Sequence, residues 1–441
     1  MTDLEPLYTA EEMKAAEAGH DVEALMERAG SAVAAAVARD YPGARAVAVC
    51  GKGANGGDGR IAAQKLGAEV VEVGAELPPA DVVIDAIFGT GFHGEPREEA
   101  ARSIEAIRSA NVPVVAVDVP SGVNASTGEV SGVCVEAATT VTFHGEKVGL
   151  AVAPGSLQAG KIELVDIGLE PVETRHARVT SEIVHRLPPR RRGGNKYRSG
   201  SVLVVGGAPG LTGAVCLSAE AAFRADAGYV TVCAPRESLP IVELRLLEAV
   251  KRPLEEAFDA TGRAGALALG PGLGRGDESR QLVRRLLAET DLPAVVDADG
   301  LFAFEPLERD SPTVLTPHSG ELARLLEVET GWVDAHRLEA VHRALERFKC
   351  IVLLKGSETI VAAPDARTLI SAGTPRLATA GTGDVLTGII GAFLSKGMEG
   401  QLAAATAARV HSDAALAAPH RRGLVASDVI AQLPGVLDAA V

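Results

Sequence analysis

Short apolar runs alternate with longer amphipathic stretches in this chain, and the alternation happens twice. The first series is Arg45–Cys50, Val70–Val73, Val82–Ile87 and Val114–Val117, with helical patterns near Gly57–Leu66 and Arg97–Ser109. Strands at Thr139–Phe143 and Lys161–Val165 extend it, and residues 10–39 ahead of it read as one helix rich in Ala and Glu. The second series is Ser201–Val205, Val230–Cys233, Ala266–Leu269, Ala294–Val296, Val314–Leu315 and Ile351–Leu354. A hairpin at Thr359–Ala362 and Thr368–Ile370 follows, then helices near 384–396, 401–417 and 427–439. Strands that alternate with helical segments predict parallel sheets covered by helices on both faces. Between the two series, residues 173–200 hold eight Lys/Arg and two Asp/Glu, with Pro188-Pro189 and Gly193-Gly194. That stretch reads equally well as a solvated linker or as a basic rim on the second site. Two α/β domains are expected, at 1–175 and 176–441.

Charge and cysteine usage narrow the partners. Lys+Arg total 43 and Asp+Glu 58, a net charge of −15. An acidic surface repels nucleic acid and anionic membrane, so neither is expected as a partner, and any anionic ligand needs local donors. The five cysteines form no CxxC pair, which argues against a structural zinc or redox motif, and their odd number fits a reducing compartment. No signal-peptide pattern opens the chain, and no apolar run reaches about 18 residues. A cytoplasmic enzyme acting on small molecules is expected, and a homo-oligomer with it.

Three loops of the first series carry chemistry-bearing residues. Gly51–Gly59 reads Gly-Lys-Gly-Ala-Asn-Gly-Gly-Asp-Gly, Asp85–Gly94 reads Asp-Ala-Ile-Phe-Gly-Thr-Gly-Phe-His-Gly, and Asp118–Gly122 reads Asp-Val-Pro-Ser-Gly. All follow predicted strands, at the sheet edge where open α/β sheets bind ligands. Residues 51–56 match GxGxxG, so a dinucleotide site is one reading. Against it, Asp58 places a carboxylate where a pyrophosphate would sit. An amide oxygen, a carboxylate and backbone carbonyls suit a hard cation instead. Each Asn, Asp or Ser alone could be a turn or helix cap; three such loops at one edge favour a site.

In the second series, Gly381-Thr382-Gly383-Asp384 immediately precedes an amphipathic helix. Helix N-terminal amides make an anion hole, and Asp384 at its mouth can take a proton from a hydroxyl. Gly270–Gly274, Thr316–Glu321 and Lys355–Thr359 each follow a predicted strand, and Asn195-Lys196 and Thr212–Ala214 flank the first one. Together these suggest a nucleotide phosphate site beside an acceptor hydroxyl.

The first three loops resemble the signature of NAD(P)H-hydrate epimerases. The resemblance implies a Rossmann-like doubly wound sheet and a potassium ion held by Asn55, Asp85 and Ser121. It also implies substrate contacts from Asn55, Gly56, Gly57, Asp58, Gly89, Thr90, Gly91, Phe92, Gly94 and Asp118. Asp118 fits the acid/base role that opens and recloses the hydrate, and His93 is a second candidate. Ala54 departs from the family pattern, which commonly has Asn there.

The later loops resemble ribokinase-like kinases and, more narrowly, the ADP- or ATP-dependent NAD(P)H-hydrate dehydratases. The resemblance implies a ribokinase-like α/β sandwich. The nucleotide would meet Lys355, Gly356, Ser357, Glu358, Thr359 and Gly383; the substrate would meet Ala214, Gly272, His318 and Asp384. Asp384 would deprotonate the ring hydroxyl for phosphoryl transfer from ADP or ATP, with magnesium accompanying the nucleotide. The order of the halves, over roughly residues 10–170 and 180–440, is that of the bifunctional bacterial enzymes acting on hydrated NADH and NADPH. Three rival readings remain at this stage: a small-molecule kinase fused to an accessory domain, a first half kept for binding without catalysis, and an oxidoreductase built on residues 51–72.

Overall fold

The computed structural model describes residues 2–190, 196–197, 199–302 and 304–439. Asn195 and Gly193-Gly194 lie outside the described residues. The chain divides into two compact units, one of Pro6–Ala177 with Asp334–Arg337, the other of Met1–Glu5, Arg178–Val333 and Leu338–Val441.

The stretch expected as one helix over 10–39 is two helices, Ala10–Glu17 and Val22–Asp40. Gly19 takes a left-handed φ of 85° at the break. Asp21 then caps the second helix, its Oδ1 accepting from the amides of Glu23 and Ala24 at 3.0 and 3.3 Å. A run of helix-forming residues therefore stops where glycine freedom and a capping carboxylate coincide. The buried end of the strand Leu4–Tyr8, which periodicity did not reveal, lies ahead of them.

The sheet of this unit is all parallel. Its spatial order is Glu69–Glu72, Ala46–Cys50, Val82–Ala86, Val114–Val117, Thr139–Phe143 and Lys161–Val165. Register pairs Cys50 with Ala86 and Asp85 with Ala116, which aligns the C-terminal ends of three neighbouring strands. One face packs against Val22–Asp40 and Ala54–Leu66 through Val33, Val37, Ala62 and Ile84. The other packs Val47, Val49 and Val83 against Ile104 and Ile107 of the helix Glu98–Ser109. Crossover direction reverses between Ala46–Cys50 and Val82–Ala86, and ligands of such sheets sit outside the strand ends at that point.

The second unit orders its parallel strands Val250–Pro253, Tyr229–Ala234, Ser201–Val205, Ala266–Leu269, Ala294–Val296, Thr313–Leu315 and Ile351–Leu354. The antiparallel strands Glu358–Ala362 and Thr368–Ala372 complete the series, as the expected hairpin. Val250–Pro253 went unread because an edge strand of Val-Lys-Arg-Pro is half polar and ends in proline. Helices Thr212–Arg224 and Thr382–Ser395 pack closely, and Gly388 permits it: a Cβ there would meet the Ser218 carbonyl oxygen at 2.1 Å. Among the described residues no helix is long and apolar enough to cross a membrane.

Two candidate active sites

In the first unit the three proposed cation ligands meet around the Phe88 peptide. Asn55 Nδ2 donates to the Phe88 carbonyl at 2.8 Å, and the Phe88 amide donates to Ser121 Oγ at 2.9 Å. Ser121 Oγ donates in turn to Asp85 Oδ1 at 2.6 Å, and the Ser121 amide donates to Asp85 Oδ2 at 2.8 Å. Asp85 and Ser121 are fully buried. Burial pushes the Asp85 carboxyl up to about 6, opposed by the Ser121 hydroxyl and the Ser121 and Ile87 amides. The turn into the helix Ala54–Leu66 depends on Gly56, where a Cβ would meet the Gly51 carbonyl oxygen at 1.9 Å. Beside this lies a cleft of about 900 Å³ whose lining includes Lys52, Asn55, Gly89, Thr90, Phe92 and His93. Phe88 and Phe92 stack with centroids 4.5 Å apart. His93 is exposed, with Nδ1 3.3 Å from the Gly91 carbonyl.

Asp118 belongs to a second cluster of the same unit. It takes a left-handed φ of 66°, which costs an L-residue about 1–2 kcal/mol and marks a constrained position. Lys147 Nζ lies 2.5 Å from Asp118 Oδ1 and donates to Thr142 Oγ1 and the Phe143 carbonyl at 3.0 and 2.8 Å. Thr142 Oγ1 donates to Asp118 Oδ1 at 3.0 Å. Asp58 is buried, and its Oδ1 has no hydrogen-bond partner among the described residues. Burial pushes Asp58 up to about 8, with the nearby charges of Asp118 and Glu17 adding to the shift.

In the second unit Gly381 turns at φ 88° into the helix Thr382–Ser395, which puts Asp384 in its first turn. Burial pushes Asp384 up to about 7; Asp297 raises it further, and Lys355 opposes. Lys355 Nζ contacts Asp297 Oδ1 at 2.7 Å and Glu321 Oε2 at 3.8 Å. Burial works against the Lys355 charge, yet Asp297 and Glu321 outweigh it, so Lys355 titrates above its ordinary value. Thr387 Oγ1 donates to Asp297 Oδ2 at 2.7 Å, tying the same carboxylate to the Asp384 helix. A Cβ on Gly383 would stand 3.4 Å from Lys355 Nζ, and one on Gly272 would stand 3.3 Å from the Ala214 Cβ. His318 caps the helix Ser319–Leu326: its Nδ1 accepts from the Gly320 amide at 3.0 Å, while its own amide donates to Glu321 Oε2 at 2.9 Å. Ser357 Oγ donates to the buried Glu358 at 2.6 Å.

Sequence reasoning passed over Lys147, Asp297 and His411, and took Glu321 only as the last residue of the loop Thr316–Glu321, with no role of its own. Asp297 follows a predicted strand just as the chosen loops do, so the strand end was the signal available. His411 carried no such signal. It is buried on the helix Gly400–Ala417, and burial pushes it down to about 3, with the Lys355 charge adding and a hydrogen bond to the Thr382 backbone opposing.

Residues 202–434 match the family described as NAD(P)H-hydrate dehydratase, and residues 22–79 and 68–149 match the YjeF-related protein N-terminus. The bifunctional NAD(P)H-hydrate repair enzyme of Moorella thermoacetica is 37% identical, over 94% of this chain and 92% of that protein. Its namesake in Escherichia coli is 33% identical, over 95% and 90%. The solved ADP/ATP-dependent NAD(P)H-hydrate dehydratase of Bacillus subtilis, crystallised with ATP and magnesium, is 27% identical. It covers 59% of this chain and 98% of its own, with a TM-score of 0.55.

Proposed function

The chain belongs to the family of bifunctional NAD(P)H-hydrate repair enzymes, and from that premise we propose how its two sites divide the work. The enzyme interconverts the R and S epimers of hydrated NADH and NADPH, and returns the S form to the dihydronicotinamide at the expense of ADP or ATP. One observation supports the division: each unit gathers its own polar groups at the C-terminal ends of its own parallel strands. Residues 1–175 would then carry epimerisation and 176–441 dehydration.

For epimerisation, Asp118 is the residue that moves a proton on the substrate. The loops 55–58 and 89–94 hold the nucleotide, with His93 at their rim. Asn55, Asp85 and Ser121 offer oxygens alone, around a buried carboxylate, which fits a hard cation such as potassium. A cation there would balance the Asp85 charge and stiffen the loops that position the substrate.

For dehydration, hydroxide is a poor leaving group and phosphate a good one. Asp384 accepts the proton of the ring hydroxyl, and the amides at Gly381–Asp384 hold the phosphoryl group in transfer. Lys355 and the loop to Thr359, with Gly383, hold the nucleotide; Ala214, Gly272 and His318 hold the substrate. Asp297 and Glu321, buried beside Lys355, are the carboxylates available to a magnesium ion that accompanies the phosphates. A small-molecule kinase with an N-terminal nucleotide-binding module shares the second site but leaves the Asn55–Asp85–Ser121 group unexplained, and it is not favoured. A homo-oligomer in the cytoplasm completes the proposal, with light scattering as the check on assembly.

The test supplies an epimeric mixture of hydrated NADH with magnesium and ADP, then ATP, and follows the dihydronicotinamide absorbance. Complete recovery requires both activities. Half-recovery followed by a slow phase removes epimerisation from the first unit. A stable phosphorylated product without recovery makes the chain a kinase.

A further inference from the structure

The first unit holds two carboxyl groups that sit close enough to act on each other and have opposite surroundings. Asp118 is ion-paired with Lys147 and accepts a hydrogen bond from Thr142. Asp58 has no such support. It follows the first turn of the helix Ala54–Leu66, is 8% exposed, and leaves Oδ1 without a hydrogen-bond partner among the described residues. A buried carboxylate oxygen without a donor is costly, whereas a carboxylic acid carries its own proton and needs an acceptor. The helix entry is also fixed in place: a Cβ on Gly59 would meet the Ala86 Cβ at 2.4 Å, and one on Gly57 the Met26 sulfur at 2.8 Å.

We propose that Asp58 is the proton donor of the epimerase site, working opposite Asp118 as the proton acceptor. This rests on the epimerase reading of the unit and assigns Asp58 a chemical step beyond holding substrate. Water added across an enamine double bond leaves a hydroxyl on the carbon bonded to the ring nitrogen. The Asp118 carboxylate takes the hydroxyl proton as the carbon–nitrogen bond breaks. The electron pair leaves on the nitrogen, which takes the proton of Asp58. The resulting carbonyl turns its other face, the nitrogen adds back, Asp58 recovers its proton from nitrogen, and Asp118 returns its proton to oxygen. No redox partner is needed, and a proton donor and a proton acceptor held at separate positions are what such a step requires. Asp118 and Glu17 are the charged groups acting on Asp58, and Lys147 faces Asp118 and Glu17. Burial first, with the Asp118 and Glu17 charges adding to it, favours the protonated acid at Asp58 around neutral pH.

The test is the interconversion rate of the separated R and S epimers of hydrated NADH by the full-length chain, across pH 5–10. Asp58→Asn keeps the shape and removes the transferable proton. The expected result is a fall in kcat of about 100-fold or more with KM little changed, and loss of the decline that wild type shows above about pH 8. An Asp58→Asn chain that keeps kcat and raises KM makes Asp58 a substrate contact and overturns the donor role. Should Asp58→Asn fail to fold, Asp58→Glu decides: a displaced alkaline limb supports the role, and an unmoved limb overturns it. A wild-type chain that does not speed interconversion removes the epimerase reading itself, and the donor with it.

Discussion

Lys147 Nζ lies 2.5 Å from Asp118 Oδ1 inside the first unit, and the lysine side chain has no solvent exposure. Removing one partner of such a pair leaves the other charge without compensation. Lys147→Met is therefore expected to destabilise the chain by about 3–5 kcal/mol in urea unfolding. It should also slow epimer interconversion, because Thr142 and Asp118 lose their common anchor. A Lys147→Met chain with the wild-type rate would separate Lys147 from the site.

Gly56 and Gly53 stand in one loop yet predict opposite outcomes. A Cβ at Gly56 would overlap the Gly51 carbonyl oxygen, while one at Gly53 meets nothing within 4 Å. Gly56→Ala should displace the loop, lower the thermal midpoint and abolish interconversion. Gly53→Ala should change stability by less than about 1 kcal/mol. Equal effects from the two substitutions would contradict the loop geometry.

Asp384 links activity and stability with opposite signs. Its folded value is about 7, raised from an ordinary 3.8. The fold therefore favours the proton, and the stability this confers is lost as pH rises from the unfolded value through about 7. Asp384→Asn should match wild type in thermal midpoint near pH 4 and exceed it above pH 7. As a base, Asp384 acts when ionised, so kcat/KM for dehydration should rise with pH through about 7, and Asp384→Asn should abolish turnover. A wild-type rate that is flat between pH 5 and 8 would remove Asp384 as the base.

Asp297 binds Lys355 through one oxygen and Thr387 through the other. Asp297→Asn should release the lysine while leaving the helix start in place. The expected reading is a 10- to 100-fold fall in kcat/KM for ADP and ATP, with circular dichroism unchanged. Thr387→Val should produce a smaller fall, since it removes the hydroxyl contacts to Asp297 and the Gly383 carbonyl but no charge. An unaltered nucleotide dependence in both variants would exclude the cluster from nucleotide binding.

What the sequence made legible follows from the range of the interactions involved. The strands Val114–Val117, Ser201–Val205 and Ala266–Leu269 stand where their apolar runs lie, because buried parallel strands are written locally. The loops after Cys50 and Ala86 were legible for the same reason: a glycine-rich turn between strand and helix is a local pattern. Lys147 was not, since its meaning comes from Asp118 on a neighbouring loop, and the dipeptide Glu146-Lys147 has no periodicity of its own. Asp297 and Glu321 acquire their role through Lys355 in the same way. The break at Gly19–Asp21 was local and readable, but helix-forming composition on both sides masked it.

The Asn55–Asp85–Ser121 group makes a prediction that does not depend on catalysis. A ligand that binds the folded chain and not the unfolded one raises stability in proportion to the logarithm of its excess concentration. The thermal midpoint should therefore be higher in potassium chloride than in tetramethylammonium chloride at equal ionic strength. Asp85→Asn should erase the difference, because an amide lacks the charge that draws a cation into a fully buried site. Interconversion of the epimers should fall in parallel when potassium is withdrawn, while dehydration of the S form is read separately. Equal midpoints in the two salts would exclude potassium, and a potassium effect that survives Asp85→Asn would put the ion elsewhere.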